Sequence, residues 1–226
     1  MRIAVLFLLL TVFAWSEDKP DAVELRRQVM DWVPVDATAF AKLLEQAKAA
    51  GVEDGDTLLA RLDASLLFGD VEKLKELVPA VEKEEADIIK RKGGNAAARE
   101  EVARSLKLAK QFQAFAEKRP TEVARRAEMF RNYYYAQITL EHARLLDAAV
   151  DQFCIEKNVK DGAAVTWEQL RTYLKTNTQI HATGATIFGD RFGPFASGVS
   201  TVVPRATYEK LKAYLPADAW GDHAPK

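Results

Sequence analysis

The stretch from Thr121 to Phe195 constrains the fold of this chain more than any other. It opens as one long helical run, TEVARRAEMFRNYYYAQITLEHARLLDAAVDQFCIEKN. Phe130, Tyr134, Ile138, Leu145, Ala149 and Phe153 recur there at helical spacing. That spacing predicts an amphipathic helix with these residues as its main apolar face. The chain then turns at Asp161-Gly162. It restarts at Thr166-Trp167-Glu168-Gln169, a capping box in which Thr accepts from a helical NH and Gln reaches back. Trp167, Leu170, Tyr173 and Leu174 give this short helix a buried face. Thr186–Phe188 and Phe192–Phe195 read as short strands around a tight turn at Gly189-Asp190, and Val199–Val203 reads as a further strand ended by Pro204. Thr207 reads as the cap of a last helix, TYEKLKAYL, ended by Pro216. Trp220 is placed to fold back on this region, and His223 falls in a mobile tail.

Upstream, the pattern is all helical. AVELRRQVMDWV is closed by Pro34, and Asp36 is positioned to cap ATAFAKLLEQAKAA, which carries Phe40, Leu43, Leu44 and Ala47 on one face and stops at Gly51. Asp54 or Asp56 opens the next helix, whose Leu58, Leu59, Leu62, Leu66 and Leu67 form one stripe. Gly69-Asp70 is a stop followed at once by a cap, which reads as an αα-hairpin. Pro79 is expected to break or kink the following helix. No fixed repeat period is present, so a helical hairpin bundle is expected rather than a solenoid. Lys90–Asn95 reads as a hinge, its basic triplet answering the helix macrodipole and Asn95 capping the next helix, Ala96 to Lys118. Pro120-Thr121 separates that helix from the long one.

The N-terminus is basic at Arg2, apolar from Ile3 to Phe13, and small at Ala14 and Ser16, the form of a secretory signal peptide. Cleavage is expected after Ser16. The alternative is a retained anchor, but the apolar run of about a dozen residues is short of the roughly 20 that span a bilayer. Without Arg2 the chain carries 31 Lys+Arg against 33 Asp+Glu, a net of −2. No nucleic-acid partner and no stable membrane span are therefore expected. The chain is expected to be periplasmic or secreted. Its single cysteine, Cys154, excludes an internal disulfide and reads as a small buried hydrophobe.

Catalytic chemistry is poorly represented. The only histidines are His142, His181 and His223. His142 lies beside the apolar stripe and reads as a core or boundary residue. His181, in a polar loop, is the one candidate base. Adjacent acidic pairs such as Glu84-Glu85 and Glu100-Glu101 fan apart on a helix and cannot share a substrate. No metal-binding, phosphate-binding or nucleophile motif appears, so no catalytic residue, metal or cofactor is assigned. Tyr133-Tyr134-Tyr135 cannot all face one way. Tyr133 and Tyr135 are the candidate partner surface.

LDAAVDQFCIEKN, DGAAVTWEQLRTYLK and IFGDRFGPF occur in the order and spacing of the globular head of type IV pilin-like proteins. The region from about Ala143 to Trp220, roughly a third of the chain, resembles in particular the pseudopilins of type II secretion. The resemblance implies a head in which a long helix leads into a capped helix and a short antiparallel sheet, with a protein partner. It points to the turn Phe188, Gly189, Asp190 and Phe192 as the binding segment. The pilin leader and its Phe-Thr-Leu-Ile-Glu start are absent. Thr186 stands where the family pattern opens with an acidic residue, which argues against a calcium site.

The expected fold is mainly α with a small α+β end. Residues 1–16 form the signal peptide, 17–92 the helical hairpin region, 96–157 long helical segments, and 158–226 the small α+β pilin-like head. The expected function is that of an exported, non-enzymatic structural or protein-interaction protein of the cell envelope, associated with secretion or pilus machinery. The alternative is a secreted hydrolase or small-ligand binding module with a site between the helical part and the head. A polar concavity at His181 would favour that alternative.

Overall fold

The computed structural model describes residues 21–30, 37–176 and 178–226. The signal segment, its cleavage point and the expected roles of Pro34 and Asp36 lie outside the described residues. The chain is mainly helical with one two-stranded antiparallel sheet. The helices are α1 (Ala22–Met30), α2 (Ala37–Ala49), α3 (Asp54–Phe68), α4 (Val71–Lys83), α5 (Glu85–Arg91), α6 (Ala96–Lys118), α7 (Val123–Lys157), α8 (Trp167–Arg171), α9 (Gln179–Thr183), α10 (Arg205–Leu211) and α11 (Ala217–Trp220). The strands β1 (Ala164–Val165) and β2 (Phe195–Ala196) pair with Val165 opposite Phe195.

The helical half is held by its leucine stripes. Leu58, Leu59, Leu62, Leu66 and Leu67 of α3 are all buried. Four of them pack with Leu74, Leu77, Val78 and Val81 of α4 and Val102, Leu106, Ala109 and Phe112 of α6. Each fully buried leucine contributes roughly 1.5–3 kcal/mol by leaving water. The α3–α4 turn follows the sequence closely. Gly69 takes a left-handed φ of 72°, and the Asp70 side chain accepts from the Lys73 NH at 3.2 Å. Gly69 is required for a second reason: a Cβ there would lie 2.8 Å from the Cβ of Ala127 on α7. Pro79 does not break its helix. α4 continues to Lys83, and the interruption falls at Glu84.

Leu25 and Val29 of α1 pack with Leu43 and Ala47 of α2 and with Val52. Asp56 lies within α3 rather than starting it. It pairs with Arg26 of α1 at 3.0 Å and Arg91 of α5 at 3.3 Å, tying three helices at one carboxylate. The basic triplet is thus partly consumed internally, since Lys92 also pairs with Glu101 at 3.1 Å. Asn95 caps α6 through the Ala98 NH at 2.9 Å.

α7 belongs to two cores. Ala127 is part of the α3–α4–α6 cluster, while Tyr135, Ala136, Leu140, Ala143, Leu146, Ala149, Val150 and Phe153 form the floor of the C-terminal head. Its buried face is rotated from the expected one. Leu145 is 42 % exposed while Leu146 is fully buried, and Ile138 is only half-buried. The shift arises because alanines, not the largest side chains, bring the neighbouring elements close. Over this floor sit Leu170, Leu174, Ile180, Phe192, Phe195, Val203, Leu211 and Trp220. Trp220 does fold back, with its ring edge-on to Tyr208 at 5.4 Å.

A carboxyl and an imidazole are among the ionisable side chains enclosed along these helices. Asp63 of α3 is only half-buried as a residue, but its carboxyl is surrounded by protein. Burial pushes it up to about 6, against a bond from the Ser105 side chain that lowers it. Burial pushes His142 of α7 down to about 4, and its Nδ1 has no hydrogen-bond partner among the described residues. Between about pH 4 and 6 the folded chain holds an Asp63 proton that the unfolded chain has released. The stability from Asp63 therefore falls as pH rises through that window. His142 acts oppositely: folding strips it of a proton the unfolded chain keeps up to about pH 6.5, so its contribution falls as pH drops from there toward 4. Asp63→Asn removes only the first effect. The variant is expected to be more stable than the parent at pH 7 by about 1–3 kcal/mol, with the gain vanishing near pH 4. Urea unfolding at a series of pH values measures it, and a gain independent of pH would show that Asp63 does not titrate in this way.

Candidate functional site

The tight turn expected at Gly189-Asp190 is present, but its flanks Thr186–Phe188 and Phe192–Pro194 are not strands, and only Phe195 of the second expected strand pairs, in β2. The Thr186 NH donates to the Asp190 carbonyl at 2.8 Å, and the Gly189 NH donates to the Thr186 carbonyl at 2.9 Å. Gly189 at the bend has φ 84°. The only ladder contact across the turn is a single bridge between Ala185 and Arg191. Val199–Val203 is likewise not a strand, apart from one bridge from Val199 to Ala196. The sheet forms instead between β1 and β2, and two further bonds extend it, from the Ser197 NH to the Ala163 carbonyl at 3.0 Å and from the Gly162 NH to the Ser197 carbonyl at 2.9 Å.

Thr207 does not cap α10, which starts at Arg205 after Pro204. Its hydroxyl lies buried, 2.6 Å from Asp190 Oδ2 and 2.9 Å from Thr186 Oγ1. A hydroxyl has one proton, so the donors can be assigned. Thr207 donates to the Asp190 carboxylate, Thr186 donates to Thr207, and Thr186 accepts from the Phe188 NH at 3.3 Å. Gln179 Nε2 adds a bond to the Thr186 carbonyl at 3.0 Å. Asp190 is therefore committed inward, as the anchor of a chain of hydrogen bonds that fixes the turn.

Phe192 is buried in the head core. Of the four turn residues singled out from sequence, Phe188 and Gly189 reach the surface. Phe188 stands edge-on to Tyr135, with ring centroids 5.8 Å apart, and the Lys210 ammonium lies 4.7 Å from its ring centre. Tyr135 cannot be a partner surface: it is 3 % exposed and supports Phe188 from below. Tyr133 remains outside at 43 % exposure, its hydroxyl accepting from Gln137 at 2.8 Å.

The three histidines are separated. His223 is not in a loose tail. Its Nδ1 donates to the Thr201 carbonyl at 2.9 Å, its own carbonyl accepts from the Val203 NH at 2.8 Å, and Asp147 Oδ2 lies 3.7 Å away. Asp147 also accepts from the Thr201 NH at 2.5 Å, so α7 pins both the 199–203 segment and the C-terminus. His181 is on α9, whose N-terminus is capped by Thr178. It lines an open cleft of about 470 Å³ with Trp167, Glu168, Arg171 and Thr172. This concavity lies within the head, between α8 and α9, and not between the helical half and the head. A neighbouring cleft of about 460 Å³ lies on the other side of α8, against Phe153, Glu156 and Tyr173. There the Tyr173 hydroxyl donates to Glu156 at 2.7 Å. Lys157, with Tyr173, holds the Glu156 carboxyl below its usual range. His181 stands out in the sequence, whereas these neighbours do not. Their signal was the exposed face of the capped helix, Glu168, Arg171 and Thr172, set against its buried face.

Cys154 is half-buried at the edge of the head core. Among the described residues, no group of three or more His, Cys, Asp or Glu is placed to hold a metal ion. No described helix is long and apolar enough to cross a membrane. Comparison with family models, curated proteins and solved structures finds no match for this chain.

Replacing Thr207 with valine cuts the hydrogen-bond chain at its centre, leaving Asp190 and Thr186 without their shared partner. Thr207→Val is expected to destabilise the chain by about 1–3 kcal/mol and to speed amide exchange at Phe188. Thermal unfolding with hydrogen exchange measures both, and unchanged exchange at Phe188 would show that the chain does not hold the turn.

Proposed function

We propose that this is an exported, non-enzymatic structural or protein-interaction protein of the cell envelope, periplasmic or secreted. In this reading its pilin-like head docks on secretion or pilus machinery. The observation that carries the proposal is the course of α7. One helix is built into the helical core through Ala127 and into the head core through Leu146 and Val150. A rod shared in this way presents the head on a stiff base, as a docking module requires. The resemblance of 143–220 to pseudopilin heads supports the choice of partner class. The proposed contact surface is Phe188 with Gly189, together with Tyr133. The rigid support of Phe188 by Tyr135 and Lys210 suits an aromatic anchor, which loses little freedom on binding.

The cleft at His181 favours a second reading, a small-ligand binding module. It gives less support to the hydrolase alternative. Among the described residues the His181 ring makes no ion pair, and no serine or cysteine lines the cleft with it.

Cross-linking of the full chain in its native envelope tests the docking reading, run beside a Phe188→Ala, Tyr133→Ala double variant. Recovery of secretion or pilus components by the parent and not by the variant is the expected result. A monodisperse monomer that recovers none of them contradicts the proposal.

A further inference from the structure

We infer that the groove over α8 binds a neutral oligosaccharide. This rests on the small-ligand reading of the His181 cleft and is independent of docking at Phe188. The groove is positioned by rigid local structure. Thr166 and Gln169 close the capping box, with bonds of 3.4 and 2.8 Å, and so fix Trp167 as the first residue of α8. Gly184, at a left-handed φ of 62°, lies against the indole. A Cβ there would approach Trp167 Cδ2 to 2.9 Å. The indole is therefore clamped against backbone, and Trp167, only half-buried, lines the cleft.

The groups around it select the ligand class. Arg171 and the imidazole of His181 donate and Glu168 accepts, while the Thr172 hydroxyl, whose proton goes to the Gln169 carbonyl at 3.2 Å, accepts as well. Among the described residues none of Glu168, Arg171 or His181 spends its side chain on an ion pair within the chain. A free anion would meet the Glu168 carboxylate, and a free cation would meet the Arg171 guanidinium. A flat apolar molecule would strand several polar groups. A sugar ring satisfies all of them at once: its apolar C–H face covers the indole, and its hydroxyls exchange bonds with the planar guanidinium and carboxylate. Glu168 and Thr172 also line the second cleft, where Gln169 and Tyr173 supply further polar groups beside Phe153. The two clefts meet at Glu168 and Thr172 of the α8 segment, which leaves room for more than one sugar unit across it. Its open form suits a chain passing across the surface rather than an enclosed monosaccharide.

The test is a two-dimensional NMR titration of the full chain with two tetrasaccharides, tetra-N-acetylchitotetraose and maltotetraose, and separately with sodium sulfate. At least one tetrasaccharide is expected to shift the Trp167 indole NH and the amides of 167–172 and His181, and sulfate is expected to leave them in place. A Glu168→Ala, Arg171→Ala variant changes only exposed side chains and should keep the native spectrum elsewhere. It is expected to weaken saccharide binding at least about tenfold. Shifts with sulfate alone would overturn the saccharide assignment while leaving a small-ligand site. Shifts with none of the three would overturn both. Saccharide shifts undiminished in the double variant would place binding elsewhere and overturn the inference.

Discussion

Burial of α7 along both of its halves is the constraint on which the other elements depend. At its start Ala127 meets Gly69 in the helical hairpin, and Arg131 Nη1 donates to the Leu67 carbonyl at 3.4 Å. In its middle Asn132 Nδ2 donates to the Tyr214 hydroxyl at 3.0 Å, and Tyr135 supports Phe188. Further on, Ala143, Leu146 and Val150 are covered by the head. Most of the stability of a helix in a folded chain comes from packing rather than propensity, and here packing holds successive turns of α7. The alanines let neighbours approach closely, and the larger side chains fill the spaces between them.

The head follows from this arrangement. With α7 as its floor it needs little sheet, and β1 and β2 are two residues each. Its remaining order comes from side chains that satisfy backbone and buried polar groups. The Phe188–Thr186–Thr207–Asp190 chain fixes the turn, and Asp147 with His223 fixes the end of the chain. Such networks specify one arrangement because each member left alone would be costly. Two features of the head stand at its surface: an aromatic turn at Phe188 and a polar cleft beside α8.

Much of the helical half was legible in the sequence because its signals are local. Gly69-Asp70 and Asn95 each declare a cap by residue type and spacing, as Thr166 does in the head, and the α3 leucines declare one face. What failed was long-range. The face of α7 was read correctly at Ala149 and Phe153 but misassigned at Leu145 and Ile138, because large residues dominate a periodicity count whereas Ala136 and Ala143 also carry the close packing. Thr207 has the form of a cap but is drawn inward by Asp190, and His223 looks like tail until Thr201 and Asp147 are brought beside it. The strand expectation around the turn held only at Phe195, which falls in β2, while Thr186–Phe188 is drawn into the turn that the Thr186 and Gly189 NH groups close. For the site, sequence marked Phe188 and His181. It could not show that Asp190 faces inward or that Trp167, Arg171 and His181 share a cleft.

The central claim is that α7 is one continuous spine built into both cores. Native-state hydrogen exchange along α7 tests it most directly. The account predicts slow exchange at the buried positions from Ala127 through Val150, with no fast-exchanging break between Asn132 and Ile138. Rapid exchange across that middle segment, with slow exchange on either side, would mean two separate helices joined by a hinge and would contradict it.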